Sequence, residues 1–276
     1  MDISGVSWVN GSLIESGNGA IPPNDHSVIV GDGVFETLQV FNGQPFALTR
    51  HLKRLKKSSE GLGLTPPNEG RVKEAIDAVL NADSKAGVIR ITWSSGSGPL
   101  GSARGNSPGT LIVATQERKI WPASEALHLV PWPRNERGAL TGLKTTSYAE
   151  NVLALERALQ HDCDEALFLN TTGVLCEGTG TNIFLVINEK LVTPPLSSGC
   201  LAGVTRELVL EIVKVTERNV SLNELSSCSE AFITSSTRDL SPVSRFDDFT
   251  VPLVPGPITE EIAQAFSELK SSQPDP

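Results

Sequence analysis

The sequence predicts an α/β chain of the α+β kind, with a small N-terminal α/β domain followed by a larger C-terminal domain built on a mixed sheet. Three observations carry this expectation. Short apolar runs are separated by reversing pairs such as Asn10-Gly11 and Asn42-Gly43. Helical periodicity falls in isolated blocks rather than after every strand. The strand–helix alternation of a doubly wound sheet or barrel is missing, and the GDG at 31–33 has no Gly-x-Gly-x-x-Gly around it.

The elements follow in order. WVNGSLIE reads as two short strands about a turn, and a polar stretch, SGNGAIPPNDHS, comes next. VIVGDGVFETLQVFNGQPFALT is a hairpin about Asn42-Gly43. HLKRLKKSSEGLGL carries Leu52, Leu55 and Ser59 at helical spacing and closes on glycines, which predicts an amphipathic helix. EGRVKEAIDAVLNAD predicts a second helix. The strands GVIRITWSS and TLIVAT flank a loop rich in Gly, Ser and Pro. Residues 1–118 are therefore expected to form the first domain, and 119–126, around QERKIWPAS, the linker.

The second domain is expected over 127–270. It opens with the strand ALHLVPW and a loop. A long helix then runs from about Ser147 to Gln160, with Val152, Leu153, Leu155 and Leu159 as its buried stripe. The strands EALFLN, VLCEG, NIFLVIN and LVTPP follow at short spacing and read as a mostly antiparallel sheet. A helix starting near Val204, the strand AFITSS and a last helix after Pro257 complete it. The tail 271–276 is expected to be disordered.

The chain has 276 residues, with 23 Lys and Arg against 32 Asp and Glu, a formal net charge of -9. That balance, with no aromatic-basic stripe, argues against a nucleic-acid partner. No stretch approaches the roughly 20 apolar residues that cross a bilayer. The opening residues lack a basic region followed by an apolar run, so no secretion signal is expected and a cytoplasmic location is. Cys163, Cys176, Cys200 and Cys228 form no close pair, so neither a metal site nor a disulfide framework is expected.

Lys144 is the first candidate for chemistry, in GALTGLKTTSYAENV at a strand–helix junction near glycines. A lysine desolvated in such a junction is a candidate Schiff-base former, although a lysine beside a turn is more commonly just solvated. Glu177, in VLCEGTGTNIF, could face a protonatable ligand nitrogen, or simply cap a turn. Val204 and Thr205 open a helix after Gly203, and Ser236 and Thr237 follow a strand. Both places suit a phosphate, and both suit ordinary capping. Arg54 could grip that phosphate with two hydrogen bonds, or lie on a helix surface.

In combination these blocks resemble the class IV pyridoxal-phosphate enzymes, whose members include branched-chain and D-amino acid aminotransferases, R-selective amine transaminases and aminodeoxychorismate lyases. The resemblance runs from WVNG to the last helix through GDGVFETLQV with HLKRL, LKTTSYAENVLA, EGTGTNIFLV with LVTPP, and LAGVTRE with TSSTRDLSPV. It implies pyridoxal-phosphate fold type IV, pyridoxal 5'-phosphate as cofactor at the interface of the two domains, and a homodimer. Lys144 resembles the cofactor-bearing lysine that also carries the proton, and Glu177 the carboxylate facing the pyridine nitrogen. Arg54, Val204, Thr205, Ser236 and Thr237 resemble the phosphate site, and Tyr148 a tyrosine beside the cofactor.

Within the family, the expected reaction is amino transfer from an amino acid or amine to a 2-oxo acid. D-amino acids and R-amines are possible donors. The alternative is the lyase that yields 4-aminobenzoate and pyruvate, which a shortened TSSTRDLSPV favours. The bacterial D-amino acid enzymes hold the substrate carboxylate with a tyrosine and an Arg-x-His. Here those positions read Phe35, Leu100 and Ser102. Arg104, Arg134, Arg137 and Arg238 are the candidate replacements, with Phe35 lining the substrate side.

Overall fold

The computed structural model describes residues 5–15 and 20–276. The first four residues of the polar stretch opening at Ser16 lie outside them. The chain forms two compact units. The first takes the described residues up to Lys119, then adds Leu143–Tyr148 and Gln273–Pro276; the second takes Ile120–Gly142 and Ala149–Ser272.

The first unit contains β1 (Val6–Val9), β2 (Ser12–Glu15), α1 (His26–Ile29), β3 (Gly33–Phe41), β4 (Gln44–Pro45), α2 (Leu48–Gly61), α3 (Glu69–Ala82), β5 (Val88–Ser94) and β6 (Thr110–Gln116). Its sheet runs β2-β1-β6-β5-β3-β4, every pair antiparallel. The turn joining β3 to β4 has Asn42 and Gly43 both at positive φ, 50° and 77°, the twist that a two-residue hairpin requires. Alternation along the strands sorts two faces. Val34 and Leu38 of β3, Ile89 and Ile91 of β5, and Leu111 and Val113 of β6 pack with Leu52 and Leu55 of α2 and Val72, Ile76 and Val79 of α3. Glu36 shares that helix-covered face. Phe35 and Arg90 belong to the opposite one.

Helix α3 is capped by Asn68, whose side chain accepts the Arg71 N–H. Helix α2 has no such residue: Ala47 stands at its cap position in a left-handed conformation, without a side-chain cap of its own. The end of the chain supplies one. Asp275 accepts from the Thr49 N–H at 2.8 Å and the Thr49 hydroxyl, and the Ala47 N–H donates to the Pro274 carbonyl. The tail is thus ordered where disorder was expected: Ser271 and Ser272 finish the last helix, and residues 273–276 satisfy donors that α2 leaves open.

The second unit contains β7 (Glu125–Leu129), α4 (Ala149–Leu159), β8 (Glu165–Leu169), β9 (Leu175–Gly178), β10 (Asn182–Ile187), β11 (Lys190–Thr193), α5 (Val204–Ile212), β12 (Thr216–Glu217), α6 (Leu222–Leu225), β13 (Cys228–Ser235), β14 (Asp239–Phe246), β15 (Phe249–Thr250) and α7 (Pro257–Ser272). The sheet order is β12-β11-β10-β13-β14-β7-β8-β9, with β15 on β14. Pairs β7–β14, β7–β8 and β11–β12 are parallel and the others antiparallel, so the sheet is mixed. Together the two units give the two-part α/β architecture of fold type IV. Strand β7 begins at Glu125, inside the segment expected as linker.

Both faces of this sheet are covered, which is why β10 is buried throughout and, after Asn182, reads as an unbroken apolar run, IFLVI. Leu127, Leu167, Ile183, Leu185, Ala231 and Ile233 form one layer. Ala126, Ala166 and Phe168 meet α4 on the other. Helix α4 corrects an expectation. It buries Asn151, Ala154 and Ala158, whereas Val152, Leu153 and Leu159 are exposed. Small residues let the helix lie close on β7 and β8, and the large apolar side chains point away. Strand β14 was not foreseen, because Pro242 interrupts a polar sequence.

Candidate active site

Lys144 lies in a segment fastened to the start of β3. Its carbonyl accepts the Phe35 N–H at 3.0 Å and its own N–H donates to Ser58 Oγ at 3.1 Å. Thr145 bridges Val34, the Thr146 N–H donates to the Gly33 carbonyl, and the Thr146 and Ser147 hydroxyls both donate to the Gly31 carbonyl. The main chain around the lysine is therefore fixed like an added strand. The Nζ stands 4.3 Å from the Phe35 ring centroid and 5.9 Å from that of Tyr148. Those two rings meet edge to face at 5.3 Å.

Arg90 completes this group, its guanidinium carbon 3.7 Å from the Phe35 centroid on the side of the sheet away from the helices. No carboxylate among the described residues pairs with it. Desolvation lowers its pKa from the ordinary arginine value, with Tyr148 acting against that shift. Sequence reasoning passed over Arg90. The available signal was strand alternation: in VIRIT, Ile89 and Ile91 point inward, so Arg90 points to the other face.

On the helix side, Glu36 is fully buried and holds one guanidinium and one imidazole. Arg54 donates Nε to Oε1 and Nη2 to Oε2, both at 2.7 Å, and His51 Nδ1 donates to Oε2 at 2.6 Å. Burial opposes ionisation of Glu36, but Arg54 and His51 outweigh it and hold the carboxyl at about 2. Burial also lowers the His51 pKa, against the pull of Glu36. Arg54 is thus the partner of a buried acid, a relationship the sequence reading lacked.

The second unit gathers the other candidates around Asn182. This residue pairs with Thr234 in the β10–β13 register, and its Nδ2 donates to the Leu201 carbonyl at 2.9 Å. The Leu201 N–H donates to Glu177 Oε2 at 2.8 Å. A Cβ on Gly203 would sit 2.1 Å from Asn182 Oδ1 and would force that amide to move. Helix α5 starts immediately after it, without a side-chain cap. The first-turn N–H groups, those of Val204 and Thr205 included, have no acceptor within the helix. Ser236 and Thr237 lie in the turn leaving β13, where Trp121 Nε1 donates to the Thr237 carbonyl. Thr234 Oγ1 is buried with no protein partner among the described residues. An open helix start, a glycine cradle and an orphan hydroxyl fit a phosphate group.

The candidate substrate arginines have protein partners. Arg104 is bidentate to Asp32, at 2.7 and 2.6 Å, and also donates to the Leu62 and Gly63 carbonyls. Arg238 lies over Trp121 and contacts Glu125 and Glu165. Arg134 lies over Phe168 and reaches Glu150, Asn151 and Glu177. Arg137 is exposed, 3.7 Å from Glu136.

The profile of the amino-transferase class IV family matches residues 33–246. The chain belongs to the class IV aminotransferase family. A putative branched-chain-amino-acid aminotransferase of Methanocaldococcus jannaschii is 28% identical, over 96% of this chain and 96% of its own length. An aminodeoxychorismate lyase of Bacillus subtilis is 27% identical over 87% and 86%. The crystal structure of a branched-chain amino acid aminotransferase from T.th., with pyridoxamine 5'-phosphate, superposes with a TM-score of 0.88 at 25% identity, covering 97% of this chain and 94% of that one. This member of the class IV aminotransferase family is therefore a pyridoxal 5'-phosphate enzyme. Among its described residues, no group of three or more His, Cys, Asp or Glu side chains is placed to hold a metal, and no helix is long and apolar enough to cross a membrane.

Proposed function

We propose that this enzyme uses its pyridoxal 5'-phosphate to move an amino group from an amino acid or amine to a 2-oxo acid, with Lys144 as the base. The observation that carries the reading is the grouping of Lys144, Phe35, Tyr148 and Arg90 on one face of the first unit's sheet. A bound cofactor of this type supplies an electron sink for the carbanion left when the substrate Cα loses its proton.

The chain's own residues supply the rest. Lys144 would hold the cofactor through its amine, and that amine, once free, would serve as the base that accepts the substrate Cα proton and gives it back. Its fixed main chain restricts movement to the side chain. Glu177 keeps the pyridine nitrogen protonated. The Val204 and Thr205 N–H groups and the Ser236 and Thr237 hydroxyls bind phosphate, and Arg54, oriented by Glu36, is a further phosphate-binding cation. Phe35 and Tyr148 exclude water from Lys144. Arg90, without a protein carboxylate, receives the carboxylate of the amino donor or of the 2-oxo acid. Partners under this reading are those two small molecules and a second copy of the chain.

The second reading is the lyase, favoured by the Bacillus subtilis relative and by the short segment ending in Pro242. One experiment separates the two. In a visible spectrum of the purified enzyme, an amino donor should bleach the cofactor band and a 2-oxo acid should restore it. Turnover only with aminodeoxychorismate, releasing pyruvate while the band persists, would establish the lyase. No visible band after adding cofactor, or a band in Lys144→Ala identical to that of the unaltered enzyme, removes Lys144 from its role.

A further inference from the structure

Glu177 stands at one end of a chain of polar contacts within the second unit. Its Oε1 is 3.6 Å from Arg134 Nε. The Arg134 backbone is fixed, its N–H donating to the Leu169 carbonyl at 2.7 Å, and its guanidinium carbon lies 4.0 Å from the Phe168 ring centroid. The far end of the side chain is then located by two residues of α4. Nη1 meets Glu150 Oε2 and donates to Asn151 Oδ1 at 3.1 Å.

These two neighbours are not equivalent. The Glu150 side chain is 46% exposed, so its pairing is screened and weakly held. Asn151 is buried, and its Nδ2 donates to the Thr179 carbonyl. Thr179 follows Glu177 by two residues, and its N–H and hydroxyl are both taken by Glu165 Oε1. Asn151 thereby spans the guanidinium beside Glu177 and the turn that ends the strand carrying Glu177. An amide suits this place because it accepts and donates at once. It also brings no charge to compete with Glu177 for Arg134.

We propose that Asn151 is a positioning residue, holding Arg134 against Glu177 and so keeping that carboxylate ionised where it meets the cofactor's pyridine nitrogen. The inference rests on the role assigned above to Glu177. The Leu201 N–H donates to the other oxygen, Glu177 Oε2, at 2.8 Å and carries no net charge. Glu150 is an acid, and the Cys176 and Cys200 thiols are kept neutral by burial.

The test is a pH titration of the visible cofactor band in the holoenzyme, for the unaltered enzyme, Asn151→Ala, Glu177→Gln and the double variant, with circular dichroism and melting as folding controls. Asn151→Ala should move the midpoint by about one pH unit, and it should move it no further once Glu177 is Gln. Asn151→Asp is nearly isosteric and protects against a simple folding failure. It restores the acceptor for Arg134, adds a competing charge and should also shift the midpoint. A shift in Glu177→Gln with none in either Asn151 variant overturns this inference alone. Full additivity in the double variant overturns it as well. An unchanged midpoint in Glu177→Gln overturns the role of Glu177, and the inference with it.

Discussion

Arg54 grips Glu36 through two parallel hydrogen bonds of 2.7 Å, and the carboxylate so held has no exposure to solvent. A buried acid in this position is stable only while its hydrogen-bonding partners stay in place. Glu36→Ala leaves the Arg54 guanidinium without its counter-charge and the His51 Nδ1–H without its acceptor, and should cost about 3–5 kcal/mol. Glu36→Gln, which retains an acceptor, should cost less. Urea unfolding of both variants tests this, and equal stabilities for Glu36→Ala and the unaltered enzyme would contradict it.

The same trio predicts an acid-sensitive fold. His51 has its pKa lowered from 6.5 by burial, so below that pH the unfolded chain takes up a proton that the folded chain resists. Stability therefore begins to fall as pH drops through 6.5. Glu36 acts lower down. Its folded value of about 2 lies under the ordinary 4.5, so its contribution is complete above 4.5 and is lost as pH falls from there towards 2. Urea midpoints between pH 7.5 and 4 should show the first decline, and His51→Gln should flatten it.

Arg90 should govern substrate affinity more than chemistry. Arg90→Gln is expected to raise KM for a 2-oxo acid about tenfold or more, the worth of a charge-assisted hydrogen bond, with a smaller change in kcat. Steady-state kinetics at saturating donor decides it. An unchanged KM would show that another group takes the carboxylate.

Asp275 should act as a helix cap from a distance. Asp275→Ala removes the acceptor for the Thr49 N–H and hydroxyl and is expected to cost about 1 kcal/mol. For a chain of this size that is a melting shift of about 2 °C. Thr49→Val in the Asp275→Ala background should add little, because the two residues share one interaction.

Much of the fold was legible because local chemistry agreed with it. The Asn-Gly turns, the amphipathic faces of α2 and α3 and the apolar run of β10 each name their own structure. Lys144 was legible as a lysine at a junction near glycines, but not as a residue strapped to Gly31, Gly33 and Phe35, since those bonds join positions more than a hundred residues apart. Helix α4 misled because hydrophobicity was read as burial. The contact with β7 and β8 needs small residues, and Ala154 and Ala158 carry little apolar weight. Glu36 was missed although alternation with Val34 and Leu38 already set it facing inward. Partners for Arg104, Arg134 and Arg238 required tertiary placement that no spacing encodes.

The interleaving of the two units constrains how this enzyme can be rebuilt. The chain leaves its first unit after Lys119, returns for Leu143–Tyr148, and returns again at Gln273. A gene fusion or exchange made at residue 120 would carry Lys144 away from Ser58, Gly33 and Phe35, to which its segment is fastened. Half-enzymes cut there would each lack part of one bonded unit. Exchange among relatives is therefore more practical by grafting single elements than by trading whole halves.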